Sequence, residues 1–152
     1  MKQLILIRHT AVLLLLAALY SCAHPVPALA ADYGDKDAII VRVHDGDSIT
    51  VSVPDWPGIV GNKIPVRVYG VDTPELLGKC ANEKAKALLA KTFTANFVNA
   101  KPVTLKTIKR DKYFRILANV YVGDNSLADE LIKANLGKSY FGGTKSDWCV
   151  AQ

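Results

Sequence analysis

The sequence predicts a mainly β domain of the α+β class: a five-stranded barrel with one helix after the third strand and a short C-terminal helix. Five stretches of the chain alternate apolar and polar residues with the period of a β-strand. One longer stretch repeats apolar residues every four positions, as an amphipathic helix does. The resulting order, three strands, a helix, two strands and a helix, is typical of an OB-fold with the helix inserted after strand three.

The first three strands are predicted by alternation and by the turn residues between them. Residues 39–43 and 48–53 alternate on either side of Asp45-Gly46-Asp47, which predicts a hairpin with its acids at the tip. Residues 54–62 contain two prolines and two glycines and are expected to form a loop. Residues 64–68 are expected to form a third strand, which ends at Gly70, and residues 71–75 a loop whose shape Pro74 holds. Arg67 in this strand points away from the face of its apolar neighbours.

The remaining elements follow the same logic. A helix is expected from Asn82, its N-cap, to about Asn99, with a packed face built from residues four apart: Ala85, Leu89, Phe93 and Phe97. Residues 103–107 and 116–122 form the fourth and fifth strands. Ser126, with an acid three residues on, predicts a capping box for the short second helix, and Asn135 can adopt its left-handed cap. The tail after Tyr140 has too many turn residues for a helix.

The N-terminus has the features of a secretory signal peptide. A basic start precedes an apolar run, and Ala28-Leu29-Ala30 supplies a site for cleavage after Ala30. The interpretation divides the chain into a signal peptide (1–30), a leader (31–37) and a domain (38–152). It predicts a periplasmic or secreted protein without a membrane span after cleavage. The alternatives are an uncleaved anchor, for which the run is short, and a lipid anchor on Cys22.

Removal of the signal peptide takes away Lys2 and Arg8 and lowers the formal net charge from +5 to +3. A mild positive charge is compatible with a polyanionic partner, and equally with an ordinary soluble surface.

Two cysteines, Cys80 and Cys149, remain in the mature chain. An even pair in an exported chain predicts a disulfide, which would close a loop of about 70 residues. The alternatives are two free thiols or a metal site. The metal site is disfavoured because His44 is the only histidine left in the mature chain and a closed zinc site needs four ligands.

Two clusters of charged residues and one distant arginine suggest phosphodiester chemistry. The clusters are Asp45-Gly46-Asp47 and the segment 67–75, which reads RVYGVDTPE, and the distant residue is Arg115. Carboxylates suit a hard cation, and guanidinium groups grip a phosphate with two parallel hydrogen bonds. Taken singly, the same aspartates are explained as turn residues and the arginines as exposed ion pairs.

Three segments in this order, 43–48 (VHDGDS), 71–75 (VDTPE) and 111–115 (DKYFR), resemble the staphylococcal nuclease family. The resemblance extends from about Ala38 to Gly143. It implies an OB-fold and an exported, Ca2+-dependent, sugar-nonspecific endonuclease that leaves 3′-phosphates. The substrate would be DNA, RNA or both, and we expect a monomer.

The resemblance also implies roles for individual residues. Asp47 and Asp72 match calcium ligands, Thr73 would add its backbone carbonyl, and Asp45 matches a supporting position near the metal. Glu75 matches the catalytic glutamate that holds or deprotonates the attacking water.

The basic residues of the resemblance match positions that bind phosphate. Arg67 and Arg115 match arginines that stabilise the charge developing on the attacked phosphate. Lys112 and Tyr113 match positions that contact a terminal phosphate of a bound nucleotide, although an exposed turn explains them equally well.

The chain departs from the family pattern at three points. Phe114 stands where a small residue is usual, and its side chain could re-aim Arg115 or offer a stacking surface for a base. Ser48 replaces a threonine, and the tail lacks a long final helix. The competing function is an OB-fold module that binds nucleic acid without cutting it. Such a module has no need of the acids and both arginines together.

Overall fold

The computed structural model describes residues 33–99 and 101–149 of the chain. The predicted signal peptide and the first two residues of the leader lie outside the described residues. The first strand begins at Lys36, so it includes the last two residues of the predicted leader (31–37). Within the described part, no helix is both long and apolar enough to cross a membrane.

Five strands close into a barrel, as the alternation predicts. They are β1 (Lys36–Val43), β2 (Ser48–Ser52), β3 (Ile64–Val68), β5 (Val103–Arg110) and β6 (Ile116–Val122). The sheet order is β3-β2-β1-β5-β6, and β3 also pairs in parallel with β6, which closes the barrel. The other pairings within the barrel are antiparallel. The predicted mainly β, OB-like α+β fold is therefore confirmed.

Three short strands and three helices complete the described fold. They are the strands β4 (Gly70–Asp72), β7 (Asn125–Ser126) and β8 (Lys138–Tyr140), and the helices α1 (Gly58–Gly61), α2 (Ala81–Val98) and α3 (Leu127–Lys133). Two expectations need correction here. The loop predicted over 54–62 contains the single turn of α1. The loop predicted to follow Gly70 instead begins with β4, which pairs with β8 in the tail.

The barrel interior is filled by the inward-facing residue of each alternating pair. Fully buried side chains come from β2, β3, β5, β6 and α3, and include Ile49, Val51, Val66, Leu105, Val120, Leu127 and Leu131, while β1 contributes the buried Ala38. Burial of each large aliphatic side chain contributes about 1.5–3 kcal/mol relative to exposure. This rigid core fixes the loops at the ends of β1, β3 and β5.

The predicted packed face of the long helix is wrong. Ala85 and Leu89 are exposed, whereas Ala87, Ala90 and Thr94 are buried. Phe93 and Phe97 are half-buried against the core and stack on each other with centroids 6.4 Å apart. Small residues occupy the contact because they let the helix approach the barrel closely. The N-cap is Cys80, whose sulfur accepts from the Glu83 amide, and not Asn82.

The close approach of α2 holds the tip of the first hairpin. The Thr94 hydroxyl donates to the Gly46 carbonyl at 2.6 Å. A Cβ at Gly46 would lie 2.8 Å from the Ala90 Cβ, so glycine is required by space. The helix thereby fixes the turn that carries Asp45 and Asp47.

The predicted ends of the second helix are confirmed. The Ser126 hydroxyl accepts from the Asp129 amide, and Asn135 adopts a φ of 57°. The chain leaves this helix toward β8, and the tail beyond Tyr140 has no regular structure through Cys149. The tail therefore starts beside β4, the strand that ends in Asp72.

Candidate active site

One cleft collects most of the residues that the sequence singles out. Its volume is about 500 Å3. Its lining includes the predicted residues Asp45, Asp47, Arg67, Glu75, Lys112, Tyr113 and Arg115. Asp72 and Thr73 are buried and contact members of this set. The turn after β1, the chain from β3 through the loop after β4, and the turn between β5 and β6 thus bring all nine residues to one place.

Asp47 joins the first hairpin to the loop after β4. Its amide donates to Asp45 Oδ1 at 3.1 Å, which shapes the turn. Its own Oδ2 accepts from the Thr73 amide at 2.8 Å. The structure therefore gives the Thr73 backbone a direct role in holding Asp47 beside Asp72.

Arg67 lies between the two buried aspartates. Its Nη1 is 2.9 Å from Asp47 Oδ2, and its Nη2 is 3.4 Å from Asp72 Oδ1. Ser48 pairs with Arg67 across β2 and β3, and this register places the guanidinium beside the hairpin turn that carries Asp47. Because all three side chains are at most one-tenth exposed, removal of the guanidinium would leave the buried Asp47 carboxylate without its ion-pair partner and would take one of two cations from Asp72.

Burial dominates the titration of Asp47. It raises the pKa of the Asp47 carboxyl to about 7, while the Arg67 charge opposes the shift and the Asp45 charge adds to it. A further positive charge in this pocket would stabilise the ionised carboxylates, because it would offset the free energy that they lose when burial removes them from water.

Glu75 stands directly after Pro74, and its side chain is half-exposed in the cleft. Its amide donates to Oε1 of the buried Glu83 at 3.4 Å, and the Lys79 amide donates to Oε2 at 2.8 Å. A Cβ at Gly78 would collide with the Glu83 carboxylate. Glu83 therefore shapes the loop that presents Glu75. Sequence reasoning missed Glu83, although an acid in the first helical turn is a recognisable signal.

Lys145 is the other important residue that the sequence analysis missed. Its ammonium nitrogen lies 2.9 Å from Asp72 Oδ1 and 2.7 Å from Glu75 Oε1. Burial lowers its pKa, but the hydrogen bonds to Glu75 and Asp72 outweigh burial and raise the pKa above its ordinary value. The predicted disulfide could have pointed to Lys145, because it holds the tail that carries this lysine close to Glu75.

Arg115 is fixed by Asp111 within the turn between β5 and β6. Asp111 Oδ2 accepts from Arg115 Nε at 2.8 Å, and its Oδ1 accepts from the amides of Tyr113 and Arg115 at 2.9 Å each. Slight burial raises the pKa of Asp111, but these hydrogen bonds and the Arg115 charge hold it below its ordinary value. The Arg115 guanidinium also lies 5.6 Å from the centroid of the Tyr113 ring.

Phe114 points away from these contacts. Its side chain is exposed, and the Arg110 guanidinium lies 4.4 Å from its ring centroid. Its φ of 66° lies in the left-handed region that favours glycine. This conformation explains why a small residue is usual at this position in the family that the sequence resembles.

The predicted disulfide between Cys80 and Cys149 is present. Among residues 33–99 and 101–149, a single group of three candidate ligands has its atoms within 4.8 Å of one another: Cys80, Glu83 and Cys149. Since the two sulfurs are bonded to each other, this group serves as a structural staple. It anchors the tail beside the loop that carries Glu75.

The oxygen donors near Arg67 are of the chemical kind that a hard cation prefers, although no three of these carboxylates bring ligand atoms within 4.8 Å of one another in this structure. Asp47 and Asp72 offer buried carboxylates, and Glu75 adds a half-exposed one. The Lys145 ammonium between Asp72 and Glu75 shows that a positive charge is accepted there. Oxygen ligands of this kind suit Ca2+ or Mg2+ better than softer metals.

A protein-family model described as "Staphylococcal nuclease homologue" matches residues 65–147, from β3 to the tail. This chain belongs to that family. The matched residues include Arg67, Asp72, Glu75, Arg115 and Lys145, whereas Asp45 and Asp47 precede them.

Individual family members are related at moderate identity. A "Thermonuclease" of Staphylococcus intermedius is 28% identical over 139 residues, which span 90% of this chain and 79% of the relative. A "Thermonuclease" of Staphylococcus hyicus is 31% identical over 104 residues, 67% of this chain and 58% of the relative. A "Probable endonuclease LCL3" of Phaeosphaeria nodorum is 33% identical over 94 residues, 58% of this chain but only 32% of the relative.

Proposed function

We propose that this protein is an exported, Ca2+-dependent nuclease that hydrolyses phosphodiester bonds of DNA and RNA. The observation that carries the proposal is the shared cleft, which Asp47, Arg67, Glu75 and Arg115 line, with Asp72 buried against Arg67. Family membership supports it, as do two relatives named thermonucleases. A cleft that only bound nucleic acid would need the basic groups but not the buried acids.

Ca2+ would be held by Asp47, Asp72 and the Thr73 carbonyl, with Asp45 in support. When bound, it would polarise a phosphoryl oxygen and hold water close to phosphorus. When ionised, the carboxylates of Asp45, Asp47, Asp72 and Glu75 outnumber the two cations that pair with this set, Arg67 and Lys145, so a divalent cation would offset the remaining negative charge.

The basic residues would bind and stabilise the phosphate. Arg67, fixed by two carboxylates, and Arg115, fixed by Asp111, present guanidinium groups with little freedom. Preorganised cations of this kind act most strongly on the charge that develops in the transition state. Lys112 and Tyr113, at the rim of the cleft, would contact a neighbouring phosphate.

Glu75 would act as the general base. It accepts a proton from water as the water oxygen forms a bond to phosphorus and the bond from phosphorus to the 5′ oxygen breaks. The leaving oxygen takes a proton from solvent, so that the products carry a 3′-phosphate and a 5′-hydroxyl. Because a carboxylate is a weak base, the contribution of Glu75 would be geometric as well as chemical, and the hydrogen bond from its amide to Glu83 helps to place it.

Export is supported by the N-terminal sequence and by the disulfide. The apolar run and the Ala28-Leu29-Ala30 site favour cleavage by a signal peptidase after residue 30. Disulfides such as Cys80–Cys149 persist mainly in oxidising compartments. The mature protein would then be periplasmic or secreted, and the analysis of its N-terminus by mass spectrometry would reveal a lipid on Cys22 if one were attached.

The experiment is to incubate the mature protein with plasmid DNA and with RNA, in Ca2+, in Mg2+ or in chelator. We expect cleavage of both substrates in Ca2+, weaker cleavage in Mg2+, which keeps its waters, and none in chelator. The Glu75→Gln variant is the matched inactive control. Full activity in excess chelator would contradict the metal site, and binding without cleavage in Ca2+ would favour the non-catalytic module.

A further inference from the structure

Lys145 is the cation closest to the proposed metal ligands apart from Arg67. A single ammonium nitrogen bridges Asp72 Oδ1 and Glu75 Oε1, at 2.9 Å and 2.7 Å. Among the residues that the structure describes, Lys145 is the ion-pair partner of the Glu75 carboxylate. Its single positive charge is therefore shared between one proposed ligand and the proposed base.

The two cations near Asp72 differ in their freedom to move. Arg67 is buried within the barrel and is held by both aspartates. Lys145 is 48% exposed and lies in the irregular tail. Gly142 and Gly143, just before it, adopt φ values of 114° and 95°. Lys145 can therefore leave its carboxylates without disturbing the core, whereas Arg67 cannot.

The tail that carries Lys145 is tied down at both ends. At one end, β8 pairs with β4, the strand that contains Asp72. At the other end, Cys149 is bonded to Cys80 and Trp148 is buried. Residues 141–149 thus form a strap across the cleft, which keeps the ammonium ion at a high effective concentration near Asp72 and Glu75.

We infer that Lys145 is an internal competitor of Ca2+: its ammonium ion occupies Asp72 and Glu75 in the metal-free protein, and it must leave Asp72 before this carboxylate binds the metal and must leave Glu75 before that carboxylate acts as the base. This inference rests on the proposed Ca2+ site. The physical reason is that a divalent cation on Asp72 and an ammonium ion on the same oxygen repel each other at short range.

This competition has two consequences. Metal-free protein avoids uncompensated negative charge in the cleft, and Ca2+ binds more weakly than the donor set alone would allow. Displaced from Asp72, the ammonium ion remains in the cleft that would hold the substrate phosphates. The strap therefore raises the Ca2+ concentration at which the site fills.

The experiment measures Ca2+ binding to the mature protein by isothermal titration calorimetry, without nucleic acid. Lys145→Gln removes the charge and should bind Ca2+ about five- to tenfold more tightly, the effect of losing one or two partly exposed ion pairs. Lys145→Arg keeps the charge and should stay within about twofold of the parent. Lys84→Gln, an exposed change on α2 with the same loss of net charge, is the control for general electrostatics.

A second measurement follows Lys145 itself. Reductive methylation of lysines, quantified by peptide mass spectrometry, should label Lys145 faster in saturating Ca2+ than in chelator, while Lys84 is labelled equally in both. Asp72→Asn should make Lys145 labelling fast even in chelator, because it removes one of the two carboxylates.

The outcomes separate this inference from the proposed function. If Lys145→Gln binds Ca2+ no more tightly than the parent while Asp72→Asn loses binding, the competition is disproved and the Ca2+ site stands. If neither the parent nor Lys145→Gln binds Ca2+, both ideas fail. Tighter binding by Lys145→Gln alone, with Lys84→Gln unchanged, supports the competition.

Discussion

Asp111 and Arg115 form a fixed pair in the turn between β5 and β6, with Asp111 Oδ2 2.8 Å from Arg115 Nε. The same carboxylate accepts the amides of Tyr113 and Arg115 through Oδ1. One aspartate therefore sets both the shape of the turn and the direction of the guanidinium. Such a residue acts on the reaction through Arg115 and does not touch the substrate.

Asp111→Asn should reduce kcat by about 10- to 100-fold, the range expected when a catalytic group is misplaced. The amide oxygen still accepts the turn amides, but the amide nitrogen cannot accept from Arg115 Nε. The fold should remain, so that the far-UV circular dichroism is unchanged. Asp124→Asn, an exposed change elsewhere, is the control. A kcat equal to that of the parent would show that Arg115 does not depend on Asp111.

Glu75→Gln, Arg67→Lys and Arg115→Lys should each reduce kcat by about 100- to 1,000-fold, the usual effect of losing one charged stabiliser. Lysine keeps the positive charge but cannot form the two parallel hydrogen bonds of a guanidinium group, so the retained charge should not restore activity in either lysine variant. Binding of single-stranded DNA should survive in Glu75→Gln, because Glu75 acts on water.

The three variants should differ in stability. Arg67 is buried between two carboxylates, so Arg67→Lys should lower the melting temperature, whereas Glu75 and Arg115 are more exposed and should tolerate change. Thermal melts beside steady-state kinetics test this. If all three variants are folded and cut at the rate of the parent, the catalytic roles assigned to Arg67, Glu75 and Arg115 are wrong.

Much of this architecture was predictable because its signals are local. Alternation identifies the barrel strands, Ser126 caps its helix, and short acidic or basic motifs mark loops at strand ends. An even pair of cysteines in an exported chain predicted the disulfide.

The features that escaped prediction depend on contacts between distant residues. Lys145 lies 70 positions after Glu75, and β4 pairs with β8 over three residues only. The face of α2 was misjudged because Leu88 and Leu89 are exposed, while the small residues Ala87 and Ala90 make the contact. Apolar size suggests burial, but close packing of a helix on a barrel selects small side chains.

Ca2+ affinity should increase with pH. Burial raises the pKa of Asp47 to about 7, so below that pH Ca2+ must displace a proton from the carboxyl. For one proton of this pKa, affinity should rise about tenfold between pH 6 and pH 8. In metal-free protein the same raised pKa means that the free energy of unfolding falls as pH rises from 3.8 to about 7.

Calorimetry at three pH values measures this dependence. His44→Gln, which removes a histidine close to the turn, should show the same profile if Asp47 is responsible. An affinity that does not change between pH 6 and pH 8 would mean that the metal-free carboxylate is already ionised at pH 6.

Reduction of the Cys80–Cys149 disulfide should destabilise the protein substantially. The two residues are 69 positions apart, and closing a loop of this length stabilises by about 4 kcal/mol in the chain-entropy model. The melting temperature should fall by roughly 10–15 °C. Differential scanning calorimetry with and without reductant measures the change. The double variant Cys80→Ala/Cys149→Ala is the control, because reductant should not change its melting temperature.

Phe114→Gly tests whether this aromatic side chain directs Arg115. Phe114 holds a φ of 66°, a conformation that is unfavourable by about 1 kcal/mol for a residue with a Cβ. Glycine removes that strain, while the loss of the contact with Arg110 costs about 0.5 kcal/mol at an exposed site. The net effect on the free energy of unfolding should be small and should not be destabilising.

The kinetic expectation for Phe114→Gly follows from the position of Asp111. Since Asp111 and not Phe114 contacts Arg115, kcat should remain within about twofold of the parent, well below the 10-fold effect of a misplaced group. The combination with Asp111→Asn should then lose no more than Asp111→Asn alone. A large loss or gain of kcat in Phe114→Gly by itself would show that the bulky residue does aim the arginine, through the backbone that the two residues share.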